Sequence, residues 1–123
     1  MNEEKPYQNI HERIYQVILK VLLMMRGVPK TADNLIIINQ LSRSITSMGA
    51  NDQEADGAES KSDFIHKYSI ARKEAKESSY WIRLLGDLNP RLKQDTDSLI
   101  VEIDEISRII SAIIHKTKQR IKT

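Results

Sequence analysis

Cysteine is absent from the 123 residues. A disulfide framework, a thiolate zinc site and a cysteine nucleophile are therefore excluded. Glycine and proline are scarce, at four and three. Few turn formers in a chain of this length imply few, long elements in one domain. Long hydrophobic runs are also missing. The longest, Val17–Met25, has nine residues and includes Lys20, against the roughly 20 that span a bilayer. The opening "MNEEKPYQN" is acidic and polar where a secretory leader is basic. The expectation is a soluble, cytoplasmic chain with no membrane partner.

Signatures of known chemistry are lacking too. The four glycines are isolated, so neither a P-loop nor a dinucleotide fingerprint is present. No serine-nucleophile motif occurs. His11, His66 and His115 have no histidine or cysteine at metal-ligand spacing. Glu74/Glu77 and Glu102/Glu105 stand at i, i+3, but a di-metal carboxylate bundle needs Glu-x-x-His on inward faces. The four acids fall off the apolar stripes, and salt bridges to basic neighbours are the expected use. These absences point to a non-enzymatic protein with no metal or cofactor.

What is present is helical periodicity. Ile10, Ile14, Val17, Val21, Met24 and Val28 recur by threes and fours. So do Ile38, Leu41, Ile45 and Met48; then Phe64, Tyr68, Ala71, Ala75, Ser78, Ile82 and Leu85; then Leu99, Ile103, Ile106, Ile110 and Ile113. Each set forms one stripe of a helix. "LIIIN" at 35–39 stays in phase with Leu41 and Ile45, so it reads as helix. Gly27 and Pro29, Gly57, and Gly86 and Pro90 punctuate the four stripes. Ser60 and Asp63 stand at capping-box-like spacing before Phe64. The pattern predicts an all-α, antiparallel up-down-up-down four-helix bundle, with helices at about 8–27, 31–56, 60–86 and 91–120.

Apolar surface exceeds what one such core buries. Ile18, Leu19, Leu22, Leu23 and Met25 surround the first stripe. Ile70, Trp81 and Leu84 lie off the third, and Ile100, Val101, Ile109 and Ile114 form a second row on the fourth. A helix apolar on two sides buries both, so a homo-oligomer is expected. Leu19, Leu23, Ile70, Trp81, Leu84 and Ile109 are its candidate interface.

Two residues need separate weighing. Asp52 falls on the second apolar stripe, where a carboxylate is costly unless paired or wet. Either the stripe meets solvent there, or a partner such as an arginine faces it; solvent is the favoured expectation. Arg43 sits mid-helix in "SRSITS", a run that either lines a groove or forms the solvent face.

Charge is segregated although the net is only +2. Residues 13–30 and 106–123 contain basic side chains and no acid. The closing "HKTKQRIKT" suits a helix C-terminus and equally suits phosphate contacts. Aromatics that would stack bases are absent from that tail. Arg43, Lys73, Lys76, Lys116, Lys118 and Arg120 are the candidate nucleic-acid contacts, chosen for charge and expected exposure.

The block "QLSRSITSMGAN", "EA", "SKSDFI" and "IARKEAKESSYWIRLL" carries a resemblance. It spans about Gln40 to Leu85, through Gln40, Arg43, Ser44, Ser47, Ala50, Asn51, Glu54, Ala55, Ser60, Asp63, Phe64, Ala71, Glu74, Glu77, Trp81 and Leu84. It resembles the four-helix-bundle family encoded by intervening sequences within bacterial 23S rRNA genes, with the accessory variability protein of diversity-generating retroelements as a related branch. The first and last helices match in pattern only. The resemblance implies a cylindrical homopentamer without known catalysis, either associated with ribosomal or other RNA or DNA, or serving as a scaffold for a reverse transcriptase or another protein. Five copies would bring the charge to roughly +10 on one particle. One departure matters: the family pattern has an apolar residue where this chain has Asp52.

Overall fold

The computed structural model describes residues 9–122, with side chains through residue 120. The expected start of the first helix at residue 8 lies outside the described residues. Four helices run in order: α1 (Ile10–Arg26), α2 (Ala32–Asp56), α3 (Lys61–Leu88) and α4 (Lys93–Lys122). A single 3-10 turn at Pro90–Leu92 separates α3 from α4. There is no strand among the described residues.

Local chemistry sets the breaks. Thr31 caps α2 by accepting a hydrogen bond from the Asn34 N–H, and Ser60 caps α3 by accepting from the Asp63 N–H at 3.0 Å. Both satisfy donors that a helix N-terminus leaves open. The acidic stretch from Met48 to Phe64 is thus a helix end, a short turn and a capped helix start. Asn34 and Asn89 exchange a pair of side-chain amide hydrogen bonds at 2.9–3.0 Å, which ties the start of α2 to the end of α3.

Each helix packs against two neighbours, α1 on α2 and α4, and α3 on α2 and α4. The core comes from the predicted stripes, with Leu41, Ile45, Met48, Ala71, Ala75, Ile82, Ile103, Ile106 and Ile110 fully buried. The register shifts at three places, the first on α2, where Ile37 is buried and Ile38 only partly covered. The α1 stripe buries Met25 and leaves Met24 only partly covered. On α4, Ile109 and Ile114 are core residues, 5% and 2% exposed. Ile109, expected at the interface, faces the subunit's own interior, because the apolar stripe of α4 is wide enough to include it.

Small residues decide how closely α3 approaches its neighbours. Ser44 and Ser78, both buried, share a hydrogen bond of 2.8 Å across α2 and α3. Gly86 is buried against Thr96 at the top of α4. A β-carbon there would stand 2.2 Å from Thr96 Oγ1 and 3.0 Å from its Cβ. At Gly49 the obstacle is the Ile18 terminal methyl at 2.5 Å, which a rotamer change moves aside.

Both glycines are helical, so alanine would gain up to about 1 kcal/mol of helix propensity at either. At Gly86 overpacking of the branched Thr96 outweighs that gain by about 1–2 kcal/mol. Urea unfolding should therefore show Gly86→Ala clearly destabilised and Gly49→Ala within about 1 kcal/mol of the parent. Equal stability of the two variants would contradict the tight α3–α4 approach.

Candidate nucleic-acid interface

Asp52 is the first surprise of the interior. It is 1% exposed, so the expected meeting with solvent does not occur. Nor is its partner an arginine. His11 Nδ1 from α1 lies 2.9 Å from both carboxylate oxygens, and the Tyr68 hydroxyl from α3 donates to Oδ1 at 2.8 Å. One turn on, Asp56 Oδ1 is 3.5 Å from His11 Nε2. Burial, and after it the bond to Asp52, holds the Tyr68 phenol proton far above its ordinary range. Phe64 packs edge-to-face on Tyr68 at 4.9 Å. This is a three-helix clasp built around one carboxylate.

Arg43, though exposed, is paired within the subunit. Its guanidinium pairs with Glu77, lies 3.5 Å from Glu74 Oε2, and donates to Gln40 at 3.4 Å. The Trp81 indole N–H donates to the same Glu77 at 3.2 Å. Glu74 was expected off the core, but it is only 6% exposed, because it sits between core Ala71 and Ala75 where α2 crosses. Glu77, Glu102 and Glu105 pair with Arg43, Arg13 and Arg108 as salt bridges. Among the described residues no group of acids and histidines is arranged to hold a metal.

The other candidate nucleic-acid contacts separate into two places. Lys73 and Lys76 line an open groove of about 580 Å³ between α3 and α4. Arg72 joins them on the α3 wall and Arg108 faces them from α4. Ser69, Ser79 and Ser107 supply hydroxyls, and Asp104 is the one acid of the lining. Arg72 donates to Ser111 Oγ at 3.3 Å, and Ser79 donates to Asp104 at 3.3 Å, so the groove walls are held by cross-helix bonds. Neither Lys73 nor Lys76 has an ion-pair partner among the described residues. Lys116, Lys118 and Arg120 are exposed on the last turns of α4, about 12–18 Å along the helix from Arg108 at 1.5 Å per residue. Arg120 lines a separate cleft near Phe64 and Ser60.

Arg72 and Arg108 were not among the candidates. Arg72 stands one turn before Lys76, a signal within reach. The approach of Arg108 depends on the α3–α4 register, which the chain alone does not display.

The candidate interface residues also divide. Leu19 and Leu23 are 39% and 49% exposed, and Tyr15, at 61%, extends their stripe by one turn. Trp81 and Leu84 are half-buried against the edge of the core, and Ile70 is half-buried.

The model of the family described as 23S rRNA-intervening sequence protein matches residues 8–112. The chain belongs to that family. The match covers all of α1 to α3 and most of α4, so the groove and the Asp52 clasp both lie within the family fold. No curated protein matches the chain. Among solved structures, it is similar to a protein of unknown function from the S23 ribosomal protein family of Bacteroides thetaiotaomicron VPI-5482. The identity is 28% and the TM-score 0.81, over 90% of this chain and 99% of that one. No described helix is long and apolar enough to cross a membrane.

The clasp has a measurable consequence. Removing the carboxylate strands a buried tyrosine hydroxyl, so Asp52→Ala should lower unfolding free energy by about 3 kcal/mol. Asp52→Asn keeps an acceptor for Tyr68 and should lose less. Urea melts at fixed protein concentration test both; an alanine variant as stable as the parent would contradict the clasp.

Proposed function

We propose that this chain is a non-enzymatic, cytoplasmic nucleic-acid-binding protein, an antiparallel up-down-up-down bundle that assembles as a homopentamer and holds RNA against its basic α3–α4 groove. The observation that carries the binding reading is the groove lining, where Arg72, Lys73, Lys76 and Arg108 meet the single lining acid Asp104, with Arg108 also 3.7 Å from Glu105 outside the lining. Cations on facing helices create a concentrated positive field, which suits a polyanion. Membership of a family named for intervening sequences of 23S rRNA makes RNA the first polyanion to test.

The helix directions are supported by the cross-helix pairs. Along α2 and α3 the contacts join 34 with 89, 44 with 78, and 52 with 68. Along α3 and α4 they join 72 with 111 and 79 with 104. Numbers rise on one helix as they fall on the next. The oligomer is supported by the stripe Tyr15, Leu19 and Leu23, which the subunit leaves open.

The groove is tested by RNA affinity against salt. Replacing Arg72, Lys73, Lys76 and Arg108 with glutamine should weaken binding and flatten the logarithmic salt dependence by about three, at roughly 0.7 per single-strand phosphate contact. An unchanged slope would overturn the groove as the contact surface.

Assembly is tested separately by light scattering. The expected mass is about five times the 14.2 kDa subunit, and Leu19→Glu with Leu23→Glu should reduce it. A parent protein at the subunit mass would overturn the pentamer.

A further inference from the structure

Building on the nucleic-acid reading, we propose that Tyr80 is a stacking platform for an unpaired base, so that the strand held beside the groove is single-stranded. Lys73, Lys76, Tyr80 and Arg83 are all exposed on α3. Their steps of three, four and three place them on one helical face, along about 15 Å of axis at 1.5 Å per residue. The face begins at the groove wall, which Lys73 and Lys76 line. An aromatic ring therefore sits between cations that continue the groove.

The ring is open and held. Tyr80 is 61% exposed in a chain with only 5% aromatic residues. Its ring meets Trp81 edge-to-face, with centroids 5.0 Å apart and planes at 73°. Trp81 is anchored by its indole bond to Glu77, which Arg43 pairs from α2. Tyr80 thus rests on a fixed neighbour and presents surface outward, so little ordering cost falls on binding. A cleft of about 160 Å³ formed with Arg83, Leu84 and Asp87 opens beside it. Asp87, the one acid there, is held by the Lys93 ammonium at 2.6 Å.

The chemistry this surface recognises is a flat π-face flanked by phosphates. Lys76 and Arg83 lie one turn before and one turn after the ring, placed for the phosphates on either side of a stacked base. A base inside a duplex has both faces covered by its neighbours, so it offers Tyr80 nothing, whereas an unpaired base stacks on an aromatic side chain regardless of its identity.

The test uses the full chain with a fluorescein-labelled oligo-uridine RNA of about twelve nucleotides, within the site sizes of single-strand binders, and the same RNA annealed to oligo-adenosine. Tyr80→Ala should weaken single-strand binding about 5- to 100-fold, leave duplex affinity unchanged, and leave the salt slope unchanged because no charge is removed. Tyr80→Phe keeps the ring and should bind like the parent. Trp81, the single tryptophan, should be quenched by the single strand in the parent. Equal losses on both RNAs, or no loss on either, would overturn the stacking role. So would a lower oligomer mass for Tyr80→Ala, which would assign the ring to contacts between copies. If the parent binds both RNAs alike and loses both on glutamine substitution at Lys73 and Lys76, stacking fails while the groove stands. If it binds neither at low salt, both readings fail.

Discussion

A carboxylate taken out of water loses several kcal/mol of solvation, which only well-placed donors offset. Asp52 is in that position, and its donors come from two other helices, His11 on α1 and Tyr68 on α3. Nonpolar packing alone tolerates small slides of one helix along another. A hydrogen-bonded acid does not, because a slide of one turn strands both the acid and the phenol. The contact therefore sets the register of α1, α2 and α3 together at one end of the bundle. Asn34 and Asn89 do the same for α2 and α3 at the other. Between these two pins, the Ser44–Ser78 bond falls at the middle of the same helix pair.

The register has consequences for the surface. With α2 and α3 pinned, Arg43 stands opposite Glu74 and Glu77, and that side carries two acids against one cation. On the other side of α3, the tight approach at Gly86 and Thr96 places α4 so that Arg108 faces Arg72, Lys73 and Lys76. The two sides of one helix thus differ in sign balance for reasons that lie in its neighbours.

Much of the fold was legible in the chain. Steps of three and four found the core stripes of all four helices, and Ser60 with Asp63 marked the start of α3. The slips have physical causes. Asp52 seemed destined for solvent because its partners lie 41 and 16 residues away, beyond any local pattern. Ile109 looked like surplus because a stripe read at one residue per step understates the width a helix buries. Arg43 is exposed as its charge led one to expect, but sequence shows a charge without showing the Glu74 and Glu77 that pair with it across a helix pair. Lys73 and Lys76 were legible by charge, while Arg108 joins them only through register. Tyr80 was missed for a simpler reason. The basic tail, where charge is densest, has no aromatics, and the mixture of aromatic and cation occurs on α3.

Net charge is a poor guide to this surface. A value of +2 over 123 residues suggests indifference to polyanions. Yet exposed charges are felt over about 8 Å at physiological ionic strength, so a bound strand samples a patch and never the total. Acids cluster where they are consumed: Glu77 by Arg43 and Trp81, Glu102 by Arg13, Asp87 by Lys93, Asp52 by the clasp. Lys73 and Lys76 on α3 have no such partners among the described residues. The field beside the groove is set by this unequal spending of charge, and the buried contacts that fix helix register are what make the spending unequal.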